Sequence, residues 1–532
     1  MKPTAGATAR GPLIAACLAA LVIAGYFQFP GHVYLQSDTQ IYAPILEHLQ
    51  NPALFRKELI VEYPHVSLTL YDECALLLRK LTGLDLERAL AIPHLVTRFL
   101  GLAGFYLMAS AAGLSPPFAL FVTACLSLGA NIPGPSVLVF EYEPVPRGFA
   151  VPLVYLAVGL AAHKRWLGAG IAASAGFLFH PPSTYPFWGA FAILMLWPGD
   201  RKRRSLALIP LVCAMAVLFA ASGGVGSQSL FRKIEPLEES LQRLRASYVW
   251  VSNWAPAWMP HYAVLLAVLG LALSRIRSHT SPELRLFAAA MPLIGIASVP
   301  VSYLLLERGG FSLMPQFQPA RALLFVAVMT VFAAAAAGCW AVTGKRHAEA
   351  AVWFAIAYAI PARVKFSAPP TWKMAAVVAG LALAAAIGKR TALAVAALAA
   401  FFVIPLGVGF RNYPALEHEE LRGLSKWARE ATPVDSVFLF PDAARDLHPG
   451  IFRARALRAV YVDWKAGGQV NFFKAMGEEW WKRWQAAMTR PPDFALYRTL
   501  GIDYVVVQSK HAIAGKAPAF ENSAYRAYRV ED

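Results

Sequence analysis

Charge is scarce in this sequence. Only 15% of its 532 residues are Asp, Glu, Lys or Arg, where a soluble chain carries about 25%. That shortage excludes an ordinary cytosolic enzyme, and with 57% hydrophobic residues it excludes a disordered chain as well. Cysteine is scarce too. Cys17, Cys125, Cys213 and Cys339 lie in apolar runs, Cys74 lies in an amphipathic one, and none has CxxC spacing. Neither a disulfide framework nor a zinc site is read from them. The formal charge is +17, but no basic stripe with interleaved aromatics accompanies it, so no nucleic-acid partner is expected.

Apolar runs of roughly 15 to 25 residues recur along the chain instead, near the length that crosses a hydrocarbon core. Basic residues punctuate them at Lys2/Arg10, Lys164-Arg165, Arg201-Lys202-Arg203-Arg204, Arg275/Arg277/Arg285, Lys345-Arg346 and Lys389-Arg390. Placing every cluster on the cytoplasmic side requires an even number of spans between them. The runs 11–29, 88–112, 116–133, 146–162, 166–180, 183–197, 204–222, 259–274, 284–306, 320–341, 349–362, 371–388 and 391–410 satisfy this. The first ends in Tyr26-Phe27-Gln28-Phe29 rather than in small residues, which reads as an uncleaved span.

The parity depends on 66–81, which is apolar enough to suggest a span. Asp72 and Arg79, and Glu73 and Lys80, stand seven residues apart, so all four share one helical face, as on a helix lying at the membrane surface. The expected fold is therefore mainly α. About thirteen spans fill 1–410, with a first external loop over 30–87 and the N-terminus in the cytoplasm. Breaks at Asn131-Ile132-Pro133-Gly134-Pro135 and His180-Pro181-Pro182 fall on the external side, where freed backbone is tolerated beside a cavity. Residues 411–532 turn polar and read as a soluble α/β domain in the order helix, strand, strand, helix, helix, strand, strand. Its strand candidates are Ser436–Phe440, Ala456–Val462, Tyr504–Gln508 and Tyr525–Val530, with Trp480, Trp481 and Trp484 on a helix.

Ionisable residues at the external mouth of a bundle are the functional pointers. The first loop opens with Gln36-Ser37-Asp38-Thr39-Gln40-Ile41-Tyr42 and continues through Arg56-Lys57-Glu58 and Glu62-Tyr63-Pro64-His65. The second holds Glu141-Tyr142-Glu143-Pro144-Val145-Pro146-Arg147. His180, Glu307-Arg308 and Gln316-Phe317-Gln318-Pro319-Ala320-Arg321 complete the set.

These residues resemble the signature of GT-C glycosyltransferases, multi-span enzymes that use polyprenyl-phosphate-linked sugars. The likeness rests on the acid shortly after the first span, Asp38, on the Glu-x-x-x-Arg stretch, on the His-Pro break and on Gln-x-Gln-Pro-x-Arg. The overall plan is similar to that of protein mannosyltransferases and the aminoarabinose transferase of lipid A. The chain lacks an adjacent acidic pair, since Thr39 follows Asp38, and it lacks Trp-Trp-Asp, since Lys482 follows Trp481. The acceptor class stays open between lipid, glycan and protein.

The resemblance implies a polyprenyl-phosphate-linked donor and an active site on the periplasmic face of a bacterial inner membrane, with the C-terminal domain on that side. It also implies Asp38 as the base that takes the acceptor proton. Arg147, Arg321 and His180 are expected on the leaving phosphate. Glu143, or Glu141, would orient the acceptor, and Gln40 and Tyr42 join as substrate-binding candidates. A divalent cation, if one is used, would sit on Asp38 and Glu143. Each residue has a plainer role open to it. Asp38 could cap the next helix, Glu143 and Arg147 could pair across one helical turn, His180 could satisfy loose carbonyls, and Arg321 could anchor to headgroups. Glu58, Glu62 and His65 read as solvated loop residues, and Asp463-Trp464-Lys465 as polar residues at a strand end that could face the acceptor. Two other functions remain open: a transporter of lipid-linked sugars, and a surface-polysaccharide polymerase or ligase.

Overall fold

The computed structural model describes residues 10–27, 30–63, 69–221, 232–256, 258–362, 416–488 and 492–531. Eleven of the thirteen expected spans coincide with helices. Those over 371–388 and 391–410 lie outside the described residues. Among the described residues, five helices are long and apolar enough to cross a membrane, and shorter apolar helices accompany them.

The bundle opens with α1 (Arg10–Phe27). Its first loop carries α2 (Thr39–Gln50) and α3 (Tyr71–Thr82). At about 1.5 Å per residue α3 is roughly 18 Å long. Leu77 and Leu81 stay exposed on it. Then come α4 (Leu86–Ala111), α5 (Pro116–Ser127), a hairpin of β1 (Asn131–Ile132) with β2 (Val137–Leu138), α6 (Pro146–Ala162), α7 (Trp166–Phe179) and α8 (Pro181–Leu196). The His180 break is real: α7 stops before it and α8 starts at the next residue. Beyond α9 (Leu208–Ala221) and α10 (Pro236–Arg245) lie α11 (Trp258–Ile276), α12 (Pro282–Ser302), α13 (Leu313–Phe317), α14 (Leu324–Thr343) and α15 (His347–Ala362). Helix α14 is apolar all round and buried along almost its whole length, the centre of the bundle.

The tightest crossing is between α4 and α6. A Cβ on Gly104 would run into the backbone of Tyr155 and Leu156, and one on Gly159 into the Gly104 carbonyl. Small residues let helices approach this closely within a membrane. Gly104→Ala is therefore expected to destabilise the chain by about 1–3 kcal/mol through overpacking, read as a drop in melting temperature in detergent. Gly270→Ala, where a Cβ meets nothing within 4 Å, is the matched control. Equal melting of the two variants would contradict the close crossing.

The C-terminal domain contains α16 (Glu419–Ala431), β3 (Val437–Leu439), α17 (His448–Ala456), β4 (Ala459–Val460), α18 (Lys474–Met488), α19 (Phe494–Thr499), β5 (Tyr504–Gln508), β6 (Phe520–Glu521) and β7 (Tyr525–Arg529). Its five-stranded sheet runs β4-β3-β5-β7-β6. The first two strands do not follow one another directly, as the expected order has them. Helix α17, with Pro449 in its first turn, intervenes and makes β3 and β4 parallel. Strand β6 pairs antiparallel with β7, an edge too short for alternation to reveal.

This domain is fastened to the first loop by a buried ionic knot. Arg453, 0% exposed, reaches Asp463 Oδ1 at 3.0 Å, Glu58 Oε1 at 3.4 Å and the Gln40 carbonyl at 3.1 Å. Glu58 Oε2 accepts the Val460 N–H at 2.9 Å. Glu58, read as solvated, is 1% exposed: its acid is fixed by chain segments about 400 residues away, which no local pattern displays.

Candidate active site

Helix ends meeting at one rim of the bundle, covered by the C-terminal domain, enclose a cavity of about 540 Å³. Asp38 and Tyr42 enter it from the start of α2, Glu141 from the second loop, Arg147 from the first turn of α6, His180 from the α7–α8 break and Arg321 from the approach to α14. Lys465 and Gln469 come down from the C-terminal domain, and Arg245 and Tyr248 from the segment at the end of α10.

Asp38 lies at the centre of the polar network. It sits at the N-cap position of α2 but makes no side-chain capping bond, so the capping role does not describe it. One carboxylate oxygen accepts Arg147 Nη1 at 2.7 Å and the other accepts Lys465 Nζ at 2.6 Å. Burial works to raise this carboxyl, but Lys465 and Arg147 overcome it and hold it well below the usual carboxylate range. Lys465 also donates to Ser37 Oγ at 3.0 Å. Burial, helped by the Asp38 charge, pushes the Tyr42 phenol up, so it stays protonated.

Arg147 does not pair with Glu143. Its Nε donates to Glu141 Oε1 at 2.8 Å while its Nη1 holds Asp38. The reason is local: α6 begins at Pro146, so Glu143 lies in the bend before it, where its carbonyl accepts the Val145 N–H, and its four-residue spacing from Arg147 is not a helical turn. Glu143 stands behind the cavity wall, 2% exposed. Its Oε1 accepts the Ser37 N–H at 2.7 Å and Thr39 Oγ1 at 2.6 Å, and its Oε2 accepts the Asp38 N–H at 2.7 Å. Burial, then the Asp38 charge, raises its carboxyl. It is a positioning residue for the Asp38 turn, not a group that reaches an acceptor.

A cation held jointly by Asp38 and Glu143 does not fit this geometry. Both Glu143 oxygens are taken by N–H and O–H donors, and both Asp38 oxygens by the side-chain cations. No three His, Cys, Asp or Glu side chains gather as a metal site among the described residues. Gln40 is also displaced from its expected place. It is buried against Gly450, its Nε2 donates to the Leu35 carbonyl, and its own carbonyl accepts Arg453. It joins loop to domain and does not line the cavity.

Arg321 differs from Arg147. Among the described residues its Nε is buried with no hydrogen-bond partner, and its guanidinium faces the cavity 6.0 Å from the Tyr248 ring. Gln318, in a left-handed conformation (φ 50°) just before Pro319, turns the chain so that Gln316, Gln318 and Arg321 share one wall. His180 bonds Ser183 Oγ at 2.8 Å through Nδ1 and also lines the cavity, and Tyr185 on the helix that follows donates to the Pro319 carbonyl at 2.6 Å. Four cations, Arg147, Arg245, Arg321 and Lys465, thus face two carboxylates, Asp38 and Glu141. The surplus suits an anion.

A family model described as Domain of unknown function (DUF6798) matches residues 419–487. No curated protein matches the chain by sequence. Solved structures similar to it include an archaeal oligosaccharyltransferase, AglB from Archaeoglobus fulgidus, in complex with an inhibitory peptide and a dolichol-phosphate. That likeness has 14% identity, covers 93% of this chain and 69% of the other, and has a TM-score of 0.44. ArnT from Cupriavidus metallidurans, bound to undecaprenyl phosphate, is similar at 14% identity over 98% of each chain, with a TM-score of 0.47. Both belong to the GT-C superfamily that the residues around Asp38 resemble. At this identity the likeness assigns no residue of the chain.

Some site residues escaped the sequence reading. Arg245 stands among the charges Glu235, Glu238, Glu239 and Arg243, which do not single it out, and Tyr248 carries no signal. Lys465 was placed at a strand end, without its partner. Arg98 lies within what read as an apolar span, yet its Nη2 donates to the carbonyls of Gly31 and Glu141 at 2.5 Å each. An arginine inside a span is itself a pointer, and here it pins the backbone that carries Glu141. Elsewhere, Glu307 accepts the Ser252 N–H and faces Arg243, away from the cavity. Glu62 is exposed, and His65 lies outside the described residues.

Proposed function

We propose that this chain is an integral-membrane glycosyltransferase that moves a sugar from a polyprenyl-phosphate donor to an acceptor hydroxyl at the external, periplasmic face of a bacterial inner membrane. The observation that carries the reading is the Asp38 carboxylate held between Lys465 and Arg147, in one cavity with the Arg321 guanidinium, whose Nε has no hydrogen-bond partner among the described residues. The acceptor oxygen attacks the anomeric carbon and its proton passes to Asp38. The carbon–oxygen bond to phosphate breaks, and the polyprenyl phosphate leaves with its negative charge on Arg321, with Arg147, His180 and Lys465 around it. The rim position suits a substrate whose tail lies in the bilayer. The basic clusters at the opposite helix ends support a cytoplasmic N-terminus.

The test uses purified chain in zwitterionic nanodiscs, labelled polyprenyl-phosphate sugar and a membrane extract as acceptor source, with release of polyprenyl phosphate as the readout. Arg321→Gln is expected to raise the donor KM by about 10- to 100-fold, since hydrogen bonds to charged groups contribute about 1.5–3 kcal/mol. Absence of any polyprenyl-phosphate binding by the unaltered chain would falsify the reading.

A further inference from the structure

A second cationic pole, which the transfer step does not use, begins where Arg245 lines the cavity and continues beyond that lining to Trp464 and Arg445. Arg245 lies with its guanidinium 3.6 Å over the Trp464 ring, and the exposed Arg445 lies over the same ring at 4.6 Å. Arg245 donates to the Trp464 carbonyl, but its Nε is buried without a hydrogen-bond partner among the described residues. Asp463, the acid that acts on it most, gives Oδ1 to Arg453 and keeps Oδ2 without a hydrogen-bond partner among the described residues. Burial lowers Arg245 to about 10, which leaves it protonated at neutral pH.

Tyr248 lies beside both poles. On one side Arg321 has Arg147, Asp38 and Glu141 as charged neighbours; on the other Arg245 has Asp463 and Arg445. A phosphodiester donor brings one negative charge, which the inner pole takes. Around the outer pole three guanidinium groups, Arg245, Arg445 and Arg453, stand against two carboxylates, Asp463 and Glu58, and a second anion would balance the excess. A cationic sugar or acceptor is disfavoured by the same inventory. Both carboxylates on the cavity wall, Asp38 and Glu141, are already paired with cations.

We infer that the acceptor carries an anionic group, a phosphate or a carboxylate, held at the outer pole by Arg245 and Arg445 over Trp464. This rests on the proposed donor reading, which fills the inner pole. Guanidinium binds such anions through paired, charge-assisted hydrogen bonds, and an indole face beneath it holds its plane. Gln316, Gln318 and Gln469 on the adjoining wall supply neutral donors and acceptors for sugar hydroxyls.

The experiment measures binding of glucose 6-phosphate, glucose and glucosamine to the full chain in zwitterionic nanodiscs, with and without saturating polyprenyl phosphate. Glucose 6-phosphate is expected to bind the saturated chain at least about tenfold more tightly than glucose or glucosamine. Arg245→Gln and Arg445→Gln should each weaken it by about tenfold while polyprenyl phosphate binding stays unchanged. Arg445 is exposed, so its variant keeps the test sound if Arg245→Gln melts early. Competition between the two phosphates for one site, unaltered binding in both variants, or equal binding of glucosamine overturns the inference. A chain that binds sugar phosphate but no polyprenyl phosphate overturns the donor reading instead, and leaves the outer pole standing.

Discussion

Asp38→Asn is expected to lower sugar transfer by roughly 10²- to 10⁴-fold, the usual contribution of a positioned general base, while the variant still folds and binds polyprenyl phosphate. Asparagine keeps the shape of the side chain and its place beside Glu143, which holds the backbone N–H of residue 38. It cannot take a proton, and it no longer neutralises Arg147 and Lys465. Both cations are then freer to meet the donor phosphate, so donor affinity should hold or rise while turnover falls. That opposite movement separates a lost base from a damaged site. Full turnover in the variant would sink Asp38 as the base.

The ion pairs also predict how activity follows pH. In the free enzyme Lys465 and Arg147 hold Asp38 ionised well below its ordinary pKa, which is about 3.9 for an unperturbed aspartate. A carboxylate held so low is a weak base. The donor phosphate competes for the same cations, and as they turn to it the affinity of Asp38 for a proton rises. kcat/KM reports the free enzyme and kcat the loaded one. The acid limb of kcat is therefore expected at higher pH than that of kcat/KM. Lys465→Met, which removes one of the two cations from Asp38, should move the kcat/KM limb upward toward it. Coincident limbs in the unaltered enzyme would show that the donor does not relieve Asp38.

What the sequence disclosed and what it concealed divide along chain distance. The apolar helices were legible because apolar length is a local property. Asp38, Arg147 and Arg321 could be singled out because each lies where a span begins or ends. Lys465 could not be paired with Asp38, since 427 residues separate them and only the docked domain brings them to 2.6 Å. The exchange of Glu141 for Glu143 as the partner of Arg147 has a different cause. The spacing favoured Glu143 only if the helix began before Pro146, and it does not. Helix α17 was missed because its nine residues, Pro449 and Gly450 among them, carry too little apolar periodicity to outweigh the strand that follows.

The ionic knot at the domain boundary leads to the largest expected effect on stability. Arg453→Met removes the cation shared by Glu58 and Asp463, both almost fully enclosed, and breaking such a pair costs about 3–5 kcal/mol. Glu58 is already pushed up by burial, against the pull of Arg453. Without Arg453 it rises further, so the folded variant holds a proton that the unfolded chain gives up. The loss must therefore deepen as pH rises and ease as pH falls, which melting curves at pH 5 and pH 8 would reveal. Charge, not shape, is the proposed cause, and the compensated triple variant tests that. Glu58→Gln and Asp463→Asn, added to Arg453→Met, keep acceptors for the Val460 and Ala466 N–H groups while removing both stranded charges. It should recover much of the lost stability and flatten the pH dependence. A triple variant as unstable as Arg453→Met would instead make Arg453 a packing residue. The domain is coupled to chemistry by the same knot, since Asp463 stands two residues before Lys465. Arg453→Met should loosen Lys465 from Asp38, and its kcat/KM acid limb should then shift upward as in Lys465→Met.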